Sequence, residues 1–156
     1  MTEIANQSPR KAGSRFTATP VTSIVGFQLR RAQLSVFQRF QQHFADHDVR
    51  PAEYSVLALI ANNPGCKQID IARVLGIKRA NFAALMNRLD ARGWTERHAA
   101  EGDKRSQALF LTEAGEKLMV ELDALQAEFE RICVEQLGGE AERDTLVMLL
   151  RRLSEL

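Results

Sequence analysis

Between Gly76 and Thr112 the chain runs through a helix with a basic outer face, a tight stop and a charged strand-loop-strand, an order that few folds accommodate. From Lys78 to Arg92 the apolar residues Phe82, Leu85, Met86 and Leu89 recur at i, i+3, i+4 and i+7, so one side of a helix is turned to a core. The other side carries Lys78, Arg79, Asn81 and Arg88. Gly93 ends this helix. Trp94 to His98 then reads as a strand, Ala99 to Ser106 as a polar loop around Gly102-Asp103, and Gln107 to Leu111 as the returning strand. Upstream, Gln68 to Leu75 is a short amphipathic helix with Ile69, Ala72 and Leu75 inward, closed by Gly76, whose missing Cβ suits a sharp turn. Two helices about a tight turn, followed by a basic hairpin, predict a helix inserted in the major groove of double-stranded DNA and a loop tip reaching a neighbouring minor groove.

The formal net charge of +1 does not advertise such a partner, but the distribution does. Residues 66–106 hold nine Lys or Arg against five acids, whereas residues 113–156 hold five against eleven. A basic lobe can meet phosphate while an acidic one stays clear of it.

The ordered series Leu89-Asp90-Ala91-Arg92-Gly93-Trp94, Asp103-Lys104-Arg105-Ser106 and Leu111-Thr112-Glu113-Ala114-Gly115 resembles the MarR family of bacterial regulators, and the likeness runs from about Val21 to the C-terminus. The resemblance implies a mainly α dimer with a winged helix-turn-helix lobe. It places Arg105 at the minor groove, with Asp103 holding wing arginines by charge pairing and Lys104 and Ser106 beside them. At the start of the recognition helix the family usually has small hydroxyl residues, where Lys78, Arg79 and Asn81 stand here, so its base preferences do not carry over. Asn81 suits adenine, an Arg suits guanine, and Lys78 near the helix start suits phosphate. Lys67 and Gln68, opening the preceding helix, are further phosphate candidates.

The rest of the chain reads as scaffold. Residues 1–20 form a flexible basic tail, 21–50 an N-terminal dimerisation helix, 51–112 the winged lobe and 113–156 C-terminal dimerisation helices. The first long helix, Thr22 to Asp46, has two apolar faces, one through Val25, Leu29, Ala32, Val36 and Phe40, the other through Phe27, Leu34, Phe37 and Phe44. Pro51 suits the first turn of a helix through Ala61 with Val56, Leu57 and Ile60 inward. Thr112 caps a helix through Leu137, with Leu118, Leu122, Leu125, Phe129 and Ile132 as its seam, Gly138-Gly139 breaks it, and a last helix carries Leu146, Leu149, Leu150 and Leu153. Terminal helices with apolar faces are best buried against each other and a second copy, which predicts a homodimer and a pseudo-palindromic operator with half-sites roughly 10 bp apart.

No run approaches the roughly 18 apolar residues of a membrane span, and the N-terminus lacks the apolar core of a secretory signal, so a soluble, cytoplasmic protein is expected. No nucleophile elbow, phosphate loop or zinc-protease motif occurs, and no enzyme or cofactor is predicted. His43 and His47 share a helix face, but a structural metal needs about four ligands and no metal site is assigned. Cys66, at a helix start beside Lys67, is the thiol a redox-sensing alternative would use, with Cys133 as the other. A winged-helix module that binds protein instead of DNA is the second alternative. The resemblance also implies a repressor released by a small, often aromatic anion. Arg30, Arg31, Phe27, Phe37 and Tyr54 are the candidates for lining a site for an acid or a thioester, with Phe40 nearby.

Overall fold

The computed structural model describes residues 19–100 and 103–155. Its elements are α1 (Thr19–Thr22), α2 (Val25–His43), a 3-10 turn (Ala45–His47), α3 (Pro51–Asn62), β1 (Cys66–Lys67), α4 (Gln68–Val74), α5 (Arg79–Ala91), β2 (Thr95–Ala100), β3 (Asp103–Leu111), α6 (Glu113–Leu137) and α7 (Glu140–Leu153). Contacts divide the chain into two units, Met1–Val36 and Phe37–Leu156. The basic tail expected at the N-terminus lies outside the described residues through residue 18. No described helix is long and apolar enough to cross a membrane.

In the first unit the helix expected from Thr22 is interrupted. Ile24 donates its N–H to Val21, and the Gln28 side chain donates to the Thr22 carbonyl, which closes α1 before α2 begins. Val25, Leu34 and Val36 of α2 are exposed. At its other end α2 stops at His43, and the last expected turn is 3-10.

In the second unit the core is built as the periodicities predict. Val56, Leu57 and Ile60 of α3 and Phe82, Leu85, Met86 and Leu89 of α5 are buried, along with Leu109, Met119, Leu122 and Phe129. Phe40 and Phe44 stack at 3.9 Å and Phe129 meets Phe40 edge-on at 5.7 Å, fixing the end of α2 to α6. Each such ring contributes roughly 1.5–3 kcal/mol through burial. Helix α4 departs from expectation: Ile69 is 62% exposed and Ile71 is the buried residue. Ile71 and Leu75 are i and i+4, so in a helix of under two turns they share the inward face and Ile69 falls outside it.

A three-stranded sheet in the order β1-β3-β2 joins these helices. Strand β1 pairs Cys66 with Leu109 and Lys67 with Ala108, tying the α3–α4 connection to the hairpin. The expected loop over Ala99 to Ser106 is shorter than predicted, because β2 runs to Ala100 and β3 starts at Asp103, with a register shift at Ala99/Ala100. The sequence from Ala99 to Ser106 has no apolar alternation, so periodicity does not reveal the strand ends there.

Helix α6 starts where predicted: Thr112 Oγ1 accepts the Gly115 N–H at 3.0 Å. Leu122 and Phe129 of its seam are buried and Leu118, Leu125 and Ile132 half-buried. On α7, Leu146, Leu149 and Leu150 are exposed in the single chain.

Tyr54 donates its hydroxyl to Asp123 Oδ1 at 3.0 Å, bridging α3 to α6. Burial first, then Asp123 through its hydrogen bond and its charge, pushes the phenol up to about 12. A phenol held neutral in this way stabilises the fold fully below its ordinary value near 10 and loses that contribution as pH rises toward 12. Tyr54→Phe is therefore expected to flatten the fall in unfolding midpoint across that alkaline range. Identical slopes for the two proteins would refute the bridge.

Candidate nucleic-acid interface

The interface begins with two helix starts that no side chain caps. Lys67, extended at φ −91°, precedes α4, and Lys78, extended at φ −61°, precedes α5. Gly76 makes the intervening turn possible, since its φ of +62° is strained for any other residue. The first turn of α5 contains no acid, so its free N–H groups, the helix dipole, Lys78 and Arg79 add to one positive end. Lys67, Gln68, Lys78 and Arg79 line a single cleft of about 730 Å³, together with Arg73 and Gln107, which sequence reasoning had not selected. Its apolar floor includes Ala72, Ile77 and Phe82.

Asn81 is exposed on α5 but outside the cleft lining. Around it the helix presents Ala80, Ala83, Ala84, Asn87 and Ala91, all exposed. At about 100° per residue these fall opposite the Phe82–Leu89 stripe, so the signal was present in the same periodicity that located the core. Alanines let a helix backbone come close to base edges and offer methyls to thymine.

Arg88 does not join the cleft. Its Nη2 lies 2.8 Å from Oε1 of the buried Glu53, whose Oε2 accepts the Arg50 N–H at 2.9 Å. The guanidinium therefore satisfies a carboxylate taken out of water. Arg88 and Arg92 line a separate hollow of about 290 Å³ with Asp48, Arg50 and Glu53.

In the wing, Asp103, Lys104, Arg105 and Ser106 have their backbone in β3, while their side chains lie outside the described residues. The described pairing in the wing is a different one. Asp90 at the end of α5 binds Arg97 of β2 at 2.5 Å and accepts the Thr95 hydroxyl, and Arg97 also donates to Asn87 at 3.0 Å. These contacts fix the base of the hairpin to α5.

Cys66 sits in β1, where burial above all pushes its thiol up, with Asp70 adding to the rise against one opposing backbone hydrogen bond. Burial thus works against the thiolate that the redox-sensing alternative needs. Cys133 is pushed up as well, by burial and then Glu130. His43 Nε2 lies 3.0 Å from the Leu125 carbonyl and His47 Nε2 lies 3.7 Å from Glu121, so both rings have partners on α6. Among the described residues no cluster of three or more His, Cys, Asp or Glu could hold a metal ion.

Of the candidate ligand contacts, Arg31 lies over the Phe27 ring at 5.9 Å and Arg30 donates to Gln33 at 3.3 Å. Phe37 is 45% exposed. Tyr54 packs against Phe40 and Phe44 with its hydroxyl committed to Asp123.

The MarR family profile matches residues 47–106, the span from the 3-10 turn to the wing. A regulatory protein assigned to the hcr operon of Thauera aromatica is 31% identical over 130 residues, covering 83% of this chain and 78% of its own. Among solved structures, the transcriptional repressor CouR bound to a 23-mer DNA duplex superposes with a TM-score of 0.83 at 35% identity, covering 90% of this chain and 99% of that one. CouR bound to p-coumaroyl-CoA gives 0.81 at the same identity, covering 90% and 98%. BpsR of Bordetella bronchiseptica, whose DNA binding is regulated by 6-hydroxynicotinic acid, gives 0.79 at 28%, covering 87% and 96%. Identity of this order across nearly the whole chain, on the same elements that carry the basic helix starts and the hairpin, makes the protein a transcriptional regulator of the MarR family.

Proposed function

We propose that the protein is a homodimeric repressor that binds a pseudo-palindromic operator with α5 in the major groove and the wing at the minor groove, and that a small aromatic acid or its thioester releases it. The observation that carries this reading is the joining of Lys67, Gln68, Lys78 and Arg79 at two uncapped helix starts, beside an outward face of α5 on which Ala80, Ala83, Ala84 and Ala91 are exposed with Asn81 and Asn87. Under this docking Lys67, Gln68, Lys78 and Arg79 hold phosphate, Asn81 reads a base, and Arg105, with Asp103, Lys104 and Ser106 beside it, meets the minor groove. Arg88, committed to Glu53, holds α5 against α3 and does not read a base. The exposed aliphatic residues on α2 and, separately, on α7 support a second copy as the partner, since a stable monomer rarely leaves so many in water. The effector class rests on the p-coumaroyl-CoA bound to CouR and the 6-hydroxynicotinic acid that regulates BpsR, and Arg30 and Arg31 are our candidates for its anionic end.

The test is fluorescence polarisation with duplex DNA from the protein's own promoter and a scrambled control, across a salt series. Specific binding of two chains per site, with log affinity falling by roughly 0.9 per phosphate contact against log salt, is expected. Equal binding to both duplexes would remove the repressor reading. Asn81→Ala should lose about 1–3 kcal/mol on the operator and nothing on the scrambled duplex. A uniform loss on both would make Asn81 a backbone contact.

A further inference from the structure

The C-terminal end of α5 is fixed to the 3-10 turn, and the residue that fixes it is Arg92. This residue ends the helix, with its N–H on the Arg88 carbonyl. Its guanidinium reaches across 44 residues of sequence to donate to the Asp48 carbonyl at 2.7 Å and the His47 carbonyl at 2.9 Å. The same plane lies 3.8 Å over the ring of Trp94, the chain's one tryptophan. The accepting carbonyls stand at the end of the 3-10 turn, where such groups have no helical partner and carry the negative end of the dipole. Asp48 there is the only described residue other than glycine with a positive φ, at 49°.

The turn is tied to two further elements. His47 faces Glu121 of α6 at 3.7 Å, and Arg50, just beyond the turn, gives its N–H to Glu53 of α3. Gly93, next to Arg92, accepts the Thr112 hydroxyl at 2.6 Å from the start of α6. The end of α5 is thus clamped from the turn on one side and from α6 on the other, while its start is left open among the cationic residues of the cleft.

We infer that Arg92 is a positioning residue for operator recognition, setting the direction in which α5 projects by locking its last turn to the carbonyls of His47 and Asp48. The inference rests on the proposed role of α5 at DNA. Lysine cannot replace it: an ammonium is a point charge, without the planar fork that spans two carbonyls and stacks on an indole. The decisive comparison is therefore charge-conserving.

Wild type, Arg92→Lys and Arg92→Ala are to be titrated with operator and scrambled duplex over a salt series, below the unfolding transition of each, with Trp94 emission recorded. Arg92→Lys is expected to bind operator about tenfold more weakly, with the scrambled duplex unaffected, the salt slope unchanged and the Trp94 spectrum shifted. A phosphate contact would behave oppositely: Arg92→Lys would match wild type and Arg92→Ala would flatten the slope by about one. That result overturns the inference. So does a lowered unfolding midpoint with unchanged operator affinity, which would make the clamp one of stability alone. Loss of operator preference in wild type itself would overturn the underlying function, and is told apart because it needs no variant.

Discussion

Arg88→Ala is expected to lower the unfolding free energy by about 3 kcal/mol, the lower end of the range for breaking a buried ion pair, because the arginine is itself half exposed. The cost arises on the other partner. Glu53 is 3% exposed, and with Arg88 gone its Oε1 loses its guanidinium partner in the interior. For a chain of this size the loss should appear as a fall of roughly 6–12 °C in melting temperature. Removing both charges, as in Glu53→Met with Arg88→Leu, should recover most of it, since apolar residues of similar volume can replace a buried pair without penalty. Urea midpoints of the two single variants and the double variant check this. A double variant no more stable than Arg88→Ala would show that the pair is not what the alanine disrupts.

Gly115→Ala should be comparably damaging for a steric reason. A Cβ built on Gly115 stands 2.0 Å from the Trp94 carbonyl oxygen and 3.0 Å from its carbon. That carbonyl cannot swing aside without loss, because it accepts the Thr112 N–H at 3.1 Å. The start of α6 would have to move away from the end of α5, at about 3 kcal/mol, the upper end for overpacking a close contact. Gly26→Ala is the control. Nothing lies within 4 Å of its Cβ, and within α2 alanine should stabilise by up to about 1 kcal/mol. Equal melting temperatures for wild type and Gly115→Ala would mean that the junction yields freely.

These two sites also mark where sequence reasoning stopped. The stripe from Phe82 to Leu89 was readable because a helix packed on one side repeats its burial every turn, and Thr112 because a cap is chemistry local to four residues. Gly115 was visible as part of a family motif, but its reason, an approach to Trp94 21 residues earlier, was not. Arg88 looked like any cation on an outer helix face, for its partner Glu53 lies 35 residues away and on another helix. The burial of Ile71 in place of Ile69 is not legible because α4 is too short for a period to average out, and β1 has only two residues, fewer than any alternation needs. The shift of Cys66 away from thiolate depends on burial in that same unseen strand.

The alanine face of α5 has an evolutionary consequence. Ala80, Ala83 and Ala84 are exposed and packed against nothing in the core, so under the proposed docking of α5 a change at any of them would alter what the helix offers to a base without altering what holds the helix in place. Most surface substitutions of this kind change stability by no more than about 0.5 kcal/mol. A lineage carrying this chain could therefore exchange one operator for another through single, nearly neutral steps, and a library randomised at these three positions should yield folded proteins with new DNA preferences at high frequency.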